Sequence, residues 1–341
     1  MNLGFRSVLK LPHAHQQRCS RRIDRGVLLC ACLALVFAMN AGAKRLELDN
    51  GDVYDGEILD DMRTGQGSYI WADGHRYEGQ FVANRMQGEG TYFWPDGRTY
   101  QGSFVADKRQ GRGLLRWPNG DVYEGGFVDN KMSGTGVFVW ENQDRYAGNF
   151  VDGKRTGSGE FAWNTGERYV GEFVDGVLQG EGTFEWPDGR RYVGPFTAGR
   201  KSGRGVFEWA NGNRYVGEFA DDARSGLGVF YWRDGTVYQG QFVGDQMHGY
   251  GVKEGPDGVM SLQHWELGSL AFSKPLTANP RCTLQLEDRQ WMFDSVECIN
   301  GLAHGAGLAA SLDGQQIVVN GRFVLGNLVE GEIQVLRFGD S

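Results

Sequence analysis

Cysteine and histidine are the residue types in this chain best able to act as nucleophiles, bases or metal ligands. Beyond residue 43 the chain has two cysteines, Cys282 and Cys298, and four histidines, at positions 75, 248, 264 and 304. The histidines share no ligand spacing, and His304 alone is near the cysteines, whereas a structural zinc takes four ligands. No nucleophile–base–acid arrangement or phosphate-binding loop opening a helix is present. The sequence therefore predicts a non-enzymatic protein that needs no cofactor and no metal.

The two cysteines are better suited to a crosslink than to a metal site. Cys282 and the segment from Trp291 to Cys298 flank Glu287-Asp288-Arg289, a pattern typical of a turn between two strands. We predict a hairpin in which the cysteines face each other and form a disulfide. In the chain-entropy description, closing a loop of this size stabilises the fold by about 3 kcal/mol.

The N-terminal 43 residues have the layout of a cleaved secretory signal peptide. Three arginines at positions 21, 22 and 25 precede an apolar run of 13 residues from Val27 to Met39, and Ala41-Gly42-Ala43 follows as a cleavage site. This run is shorter than the about 20 residues that span a bilayer comfortably. We predict export, with a periplasmic location after cleavage near Ala43; the alternative is a membrane anchor formed by residues 26–39.

The charge of the chain excludes one class of partner. Residues 1–43 hold six Lys or Arg and one Asp, so their removal changes the formal net charge from −8 to −13. A chain this acidic is repelled by nucleic acid and by anionic membrane surfaces. The sequence therefore predicts no nucleic-acid partner, and only a local basic patch could bind an anionic lipid.

A 23-residue repeat organises the chain from residue 54 to residue 260. Tyr recurs nine times at this interval, from Tyr54 to Tyr238, and a Trp stands 17 residues after each of the first eight. We number repeat positions from the Tyr, which is position 0. Alternation of aromatic residues and glycine at positions 0, 2 and 4, and again at 13, 15 and 17, indicates two strands. A turn follows each Trp, so each unit is predicted to be a β-hairpin.

These units resemble the MORN (membrane occupation and recognition nexus) repeat. Tyr77-Glu78-Gly79-Gln80-Phe81, Gly88-Glu89-Gly90 and Trp94-Pro95-Asp96-Gly97 make one full copy. The resemblance implies an all-β scaffold, an elongated, twisted, single-layer antiparallel sheet of tandem hairpins. We assign residues 1–43 to the signal peptide, 44–53 to a lead-in strand, 54–260 to nine repeats, and 261–341 to a small β cap domain of degenerate repeats.

Glycine fills positions 2, 11 and 13 in all nine units. Glycine weakens a strand, so a repeated strand glycine indicates that a neighbouring group occupies the space a side chain would fill. We therefore predict that aromatic rings lie over all three positions, which gives the sheet one aromatic face and one mostly polar face. Pro195 occupies a polar-face position in the seventh unit, and it predicts a bulge or a lost ladder hydrogen bond there.

Two surfaces are candidate binding sites. The aromatic face either forms the core of the sheet or binds a protein segment or a glycan; its candidate residues are Tyr100, Trp117, Tyr123, Trp140, Tyr146, Trp163, Tyr169, Trp186, Tyr192 and Trp209. A basic row at positions 8 and 9 is either compensated by nearby aspartates or binds an acidic partner or anionic lipid. This row contains Arg85, Lys108, Arg109, Lys131, Lys154, Arg155, Arg200 and Lys201.

Taken together, the sequence predicts a scaffold or protein-interaction module of the cell envelope. It would bind partners along the aromatic face or associate with itself. The alternative is an envelope protein that binds a glycan or a phospholipid.

Overall fold

The computed structural model describes residues 42–276, 283, 284 and 286–336, apart from the side chains of 294–296. These residues form strands and turns, with no helix among them. The strands are β1 (Gly42–Glu47), β2 (Val53–Leu59), β3 (Met62–Ile70), β4 (Arg76–Val82), β5 (Arg85–Phe93), β6 (Thr99–Val105), β7 (Lys108–Arg116), β8 (Val122–Val128), β9 (Lys131–Val139), β10 (Arg145–Val151), β11 (Lys154–Ala162), β12 (Arg168–Val174), β13 (Val177–Glu185), β14 (Arg191–Thr197), β15 (Arg200–Lys201), β16 (Gly203–Glu208), β17 (Arg214–Ala220), β18 (Ala223–Tyr231), β19 (Val237–Val243), β20 (Gln246–Glu254), β21 (Met260–Glu266), β22 (Ser269–Leu276), β23 (Trp291–Ile299), β24 (Leu302–Ser311), β25 (Gln316–Val324) and β26 (Asn327–Val335).

Strands β1 to β22 form one long antiparallel sheet in which each strand pairs with its neighbour along the chain, with β15 and β16 both pairing with β14 as one interrupted strand. Each repeat contributes a seven-residue strand and a nine-residue strand, as in β12 and β13. This arrangement confirms the predicted all-β fold of tandem hairpins. Because every unit repeats the same register, equivalent side chains fall into straight rows across the sheet.

The two strands within a unit are joined by a two-residue turn. In the sixth unit this turn is Asp175 and Gly176, whose φ angles are +50° and +88°. Two consecutive left-handed residues make the tight hairpin turn whose twist matches the flanking strands, and Asp-Gly is a preferred pair for it. The second strand of each unit therefore begins at position 8.

A bulge in every repeat explains the glycine at position 11. Gly171 pairs with Gly182, but the next pair is Glu172 with Gln179, so Gly180 and Glu181 are skipped. Gly180 has a φ of +64°, in the left-handed region that favours glycine. The prediction that a ring covers position 11 is wrong, because this glycine serves the bulge instead.

The glycines at positions 2 and 13 do lie beneath a ring, as predicted. The phenol of Tyr169 covers both Gly171 and Gly182, and a Cβ on either glycine would overlap the ring. The Tyr169 hydroxyl reaches across them and donates a hydrogen bond of 3.1 Å to the carbonyl oxygen of Glu172. The ring thus fastens the bulge to the centre of the sheet.

Pro195 interrupts the ladder in the seventh unit, in line with the sequence. The strand that faces it is divided into β15 and β16 around Ser202. The Ser202 N–H still donates to the carbonyl oxygen of Pro195, at 3.0 Å. The break is therefore local, and the register resumes with Val193 opposite Val206.

The C-terminal part departs from the predicted boundary at residue 261. Strands β21 and β22 add one more hairpin to the long sheet, and most side chains of β22 are exposed. Strands β23 to β26 form a separate four-stranded sheet. Its Met292 and Ile317 belong to one buried cluster with Val252 and Leu262 of the long sheet. The small sheet therefore packs on the face of the long sheet opposite the aromatic rings, and Leu276 at the end of β22 joins the same cluster.

Candidate functional site

The first row of rings on the aromatic face forms a closed core. Within each of units 2 to 9, the Tyr at position 0 meets the Phe at position 4 edge-on, with ring centroids 5.1–5.7 Å apart. The same Tyr also meets the Phe of the next unit, as Tyr169 does with Phe196 at 5.1 Å. Edge-to-face pairs contribute about 0.5–1.5 kcal/mol beyond the burial of their area. This row links neighbouring units.

The tyrosines of this row cannot contact a partner. All nine position-0 tyrosines are 0% exposed. The five predicted as binding residues, Tyr100, Tyr123, Tyr146, Tyr169 and Tyr192, are therefore corrected to core residues. The physical reason is that the glycines at positions 2 and 13 have no side chain, so each Tyr ring packs directly on the backbone.

The second row, which we call the Trp ladder, consists of the residues at positions 15 and 17. Seven of the eight Trp side chains pack on the position-15 ring of their own unit at 4.4–4.6 Å between centroids, as Phe184 and Trp186 show; the exception is Trp117, whose unit has Leu115 there. Most also pack on the position-15 ring of the next unit. The predicted residues Trp117, Trp140, Trp163, Trp186 and Trp209 all belong to the ladder and are only partly buried. The ladder is thus the accessible part of the aromatic face.

The predicted basic row is in fact two rows, because positions 8 and 9 are consecutive residues of a strand and point to opposite sides. The five predicted position-8 cations lie at the exposed edge, and four of them pair with an Asp at position 6 of the next unit; the unit after Arg85 has Ala106 there. The distances between the Lys Nζ or Arg Nη1 and the carboxylate oxygen are 2.8–3.2 Å; the pairs are Lys108–Asp129, Lys131–Asp152, Lys154–Asp175 and Arg200–Asp221. Exposed pairs of this kind contribute about 0–1 kcal/mol and leave little free charge.

Position-9 cations fold over the aromatic rings. The Arg109 guanidinium lies 5.4 Å from the centroid of Trp94, and Arg155 lies 5.5 Å from that of Trp140. Lys201 stands over Trp186 at 5.6 Å. Burial lowers the pKa of each of these three cations. Their attraction to the ring faces helps to offset that cost, and a row of half-buried cations therefore flanks the Trp ladder.

Position 9 alternates between cations and apolar residues from the first unit to the seventh, and the eighth unit adds a second consecutive cation. From the first unit to the ninth it reads Arg63, Met86, Arg109, Met132, Arg155, Leu178, Lys201, Arg224 and Met247. Sequence reasoning missed this pattern because it treated positions 8 and 9 together. The signal was the parity of the strand, which separates the two rows.

The predicted disulfide falls partly outside the described residues, because Cys282 does. Cys298 lies on β23, opposite Ala303 of β24. Strand β23 thus pairs with the segment that follows it, whereas the sequence paired it with the segment that precedes it. Thr283 instead donates a backbone hydrogen bond of 2.7 Å to the carbonyl oxygen of Gly301. The crosslink stays a prediction.

Neither a metal centre nor a membrane helix occurs in the part of the chain that the structure describes. No cluster of three or more His, Cys, Asp or Glu side chains there could hold a metal ion. No helix in that part is long and apolar enough to cross a membrane. The alternative anchor at residues 26–39 and the signal peptide lie outside the described residues.

The fold and the repeated rows define a tandem-repeat β-sheet protein. The chain belongs to the MORN-repeat family, since the MORN repeat matches nine segments: 54–76, 77–97, 100–122, 123–145, 146–168, 169–190, 192–214, 215–237 and 238–260. Together they cover more than half of the chain. MORN repeats are in general non-enzymatic repeat modules for protein interaction.

Comparisons with other proteins add little. No curated protein matches the sequence significantly. A solved structure of the SAS-4 (dCPAP) TCP domain of Drosophila melanogaster, in complex with a proline-rich motif of Ana2 (dSTIL), is 14% identical with a TM-score of 0.24, and the match covers 52% of this chain and 84% of that one. BamB from Moraxella catarrhalis is 11% identical with a TM-score of 0.14, covering 80% and 94%. These TM-scores are too low to support an inference.

Proposed function

We propose that this protein is an exported, non-enzymatic scaffold of the cell envelope that binds a protein segment along the Trp ladder. The observation that carries the proposal is the division of the aromatic face into a closed Tyr–Phe row and a partly exposed Trp ladder. Partly exposed Trp side chains beside cations are typical of protein-binding surfaces, where Trp and Arg are enriched among the residues that dominate affinity.

A double substitution in the ladder tests this proposal. Trp163→Ala/Trp186→Ala removes two neighbouring rungs without touching the Tyr–Phe row. The matched control, Val170→Ser/Val193→Ser, changes two side chains on the opposite face of the sheet, in units 6 and 7. Immobilised proteins would be incubated with an envelope extract. We expect wild type and control to retain the same partner and the Trp variant to lose it. Equal retention by all three folded proteins would contradict the proposal.

The alternative ligands have their own readouts. A glycan held by ring stacking should co-sediment with peptidoglycan and be little affected by salt. An anionic phospholipid should hold the protein on phosphatidylglycerol vesicles only at low salt, because exposed charges are screened. The Asp partners of the position-8 cations favour the protein-binding function over the lipid-binding one, since they neutralise the row a membrane would use.

Export is a separate part of the proposal. It is supported by the basic flank, the apolar run and the small-residue site near Ala43. Fractionation of cells producing the full chain, followed by N-terminal sequencing, tests it. Recovery of the protein in the cytoplasm with an uncut N-terminus would contradict export. It would not bear on binding along the Trp ladder, which the Trp variant tests separately.

A further inference from the structure

The Trp ladder has one interior break, at Trp94. Elsewhere in units 1 to 7, each Trp packs on the ring at position 15 of the following unit, with centroids 5.2–5.5 Å apart: Trp71–Tyr92, Trp117–Phe138, Trp140–Phe161, Trp163–Phe184, Trp186–Phe207 and Trp209–Phe230. The unit after Trp94 has Leu115 at that position, and Leu115 is itself buried. Among the described rings, Trp94 therefore packs only on Tyr92 of its own unit, at 4.5 Å.

A cavity opens beside this break. Its volume is about 360 Å³, and its lining is apolar on one side and polar on the other: Met86, Tyr92, Trp94, Phe104, Asp107, Arg109 and Asn130. The volume is at the lower end of the range for ligand pockets, about 300–1,000 Å³. It is large enough for one bulky side chain together with the backbone that presents it.

The polar side of the cavity suits a peptide backbone. Arg109 donates from Nη2 to the carbonyl oxygen of Asn130 at 2.6 Å, and a guanidinium has five N–H donors, so others remain for a ligand carbonyl or carboxylate. Asp107 accepts the backbone N–H of Met86 through Oδ1 at 2.8 Å. Its second oxygen can accept an N–H from a ligand. The cavity thus offers both kinds of hydrogen-bonding group that an extended segment needs.

The charge around the cavity selects the partner. Lys201 and Arg224 face a carboxylate at position 7 of the following unit, Asp222 at 4.0 Å and Asp245 at 3.0 Å. The other three position-9 cations face an uncharged residue at position 7 of the following unit. These residues are Asn84 for Arg63, Asn130 for Arg109 and Gly176 for Arg155. Asp107 offsets one charge inside the cavity. The excess positive charge therefore lies on both sides of it, two units away in each direction, or about 19 Å at about 4.8 Å per strand.

We propose that the cavity at Trp94 is the anchor site for an acidic peptide segment of the partner protein. This inference rests on the proposed protein-binding function and names its specificity. One large apolar side chain of the segment packs on Trp94, Tyr92 and Phe104. Its backbone meets Arg109 and Asp107, and its flanking carboxylates meet the positive charge of the surrounding units.

The test uses a defined probe, a fluorescein-labelled Glu-Glu-Gly-Phe-Gly-Glu-Glu peptide, with fluorescence anisotropy as the readout. Two control peptides replace Phe by Ala and every Glu by Lys. We expect the Phe peptide to bind wild type at least about tenfold more tightly than either control, a ratio equivalent to ~1.4 kcal/mol. Equal binding of the Ala peptide overturns the anchor, and stronger binding of the Lys peptide overturns the charge assignment.

Three variants locate the site. Leu115→Phe restores the residue type that most units carry at position 15, so folding is expected, and it should weaken binding about tenfold or more by covering Trp94. Arg109→Gln should weaken binding about tenfold, as expected for loss of a charge-assisted hydrogen bond. Asp107→Asn introduces the residue found at position 7 in two other units, Asn84 and Asn130, and should weaken binding severalfold at high salt, where its charge is screened and the loss of the acceptor for the ligand N–H remains. Thermal unfolding checks that each variant is folded.

The outcomes separate this inference from the proposed function. If wild type fails to bind the Phe peptide, or if Leu115→Phe binds as wild type does, the anchor site is overturned. If the partner is nevertheless lost by Trp163→Ala/Trp186→Ala, the ladder still binds protein. If both assays are insensitive to ladder substitutions, both proposals fail.

Discussion

The ring of Tyr169 lies directly on the Cα of Gly182, where a methyl group would overlap it. This contact recurs in all nine units and joins the two strands of each hairpin through a side chain as well as through backbone hydrogen bonds. It makes the glycine a packing requirement of the core.

Gly182→Ala should therefore destabilise the protein although Ala favours strands no less than Gly does. Forcing a methyl group into a packed site costs about 1–3 kcal/mol. Thr183→Ala, at the neighbouring position on the opposite face, is the matched control and should change stability by less than about 1 kcal/mol. Chemical denaturation followed by Trp fluorescence measures both, and equal midpoints would contradict the prediction.

Tyr169→Phe and Tyr238→Phe should differ in stability although both remove a hydroxyl from a fully buried ring. The Tyr169 hydroxyl donates to the carbonyl oxygen of Glu172 at 3.1 Å, whereas the buried Tyr238 hydroxyl has no hydrogen-bond partner among the described residues. Loss of the first bond should cost about 0.5–1.5 kcal/mol. The second substitution should be neutral or stabilising, because it removes an unsatisfied buried group.

Gly180→Ala should cost about 1–2 kcal/mol, because Gly180 has a φ of +64° and a Cβ is strained in that region. Gly180→Asn should cost less, since Asn enters the left-handed region more readily. The order of the two melting temperatures is the measurement. If Ala were the milder substitution, the bulge could not be the reason for this glycine.

The protein should lose stability at alkaline pH. Burial raises the pKa of Tyr77, Tyr100, Tyr123 and Tyr169 from 10.0 to about 12. Above pH 10 the unfolded chain releases these protons first, so the folded state binds more protons and stability falls as pH rises. The contribution is complete below pH 10 and is lost between pH 10 and about 12. Tyrosinate absorbance and Trp fluorescence, followed together, should change in one transition; early tyrosinate formation in the folded protein would contradict this.

Removing an edge ion pair should have little effect. Lys131 Nζ lies 3.1 Å from the Asp152 carboxylate, with both side chains more than half exposed. A double-mutant cycle of Lys131→Ala and Asp152→Ala should give a coupling below about 1 kcal/mol. A larger coupling would mean that the edge row supports the hairpins.

The 23-residue spacing of Tyr54 to Tyr238 was sufficient to predict the hairpins and their antiparallel order, because period-two alternation fixes strands directly. The spacing could not predict how deeply each ring is buried, since Tyr169 and Trp186 lie on the same face of the sheet and differ only in how closely each ring approaches the backbone. The bulge at Gly180 was missed because a skipped pair leaves the alternation of the sequence unchanged. The sequence alone showed that Leu115 departs from the aromatic residues at position 15. The structure was needed to show that this leaves Trp94 without a ring of the following unit packed on it.

The alternation at position 9 gives units 1 to 7 a translational period of two units rather than one. Deleting two consecutive units within this part would shorten the array by 46 residues and leave cations and apolar residues in phase on either side of the junction. Deleting the single unit 123–145 would bring Arg109 and Arg155 into adjacent units and place two guanidinium groups side by side over the same stretch of rings. Within units 1 to 7 the charge pattern is therefore preserved only by a change of two units, and a change of one unit alters the charge pattern as well as the length of the array.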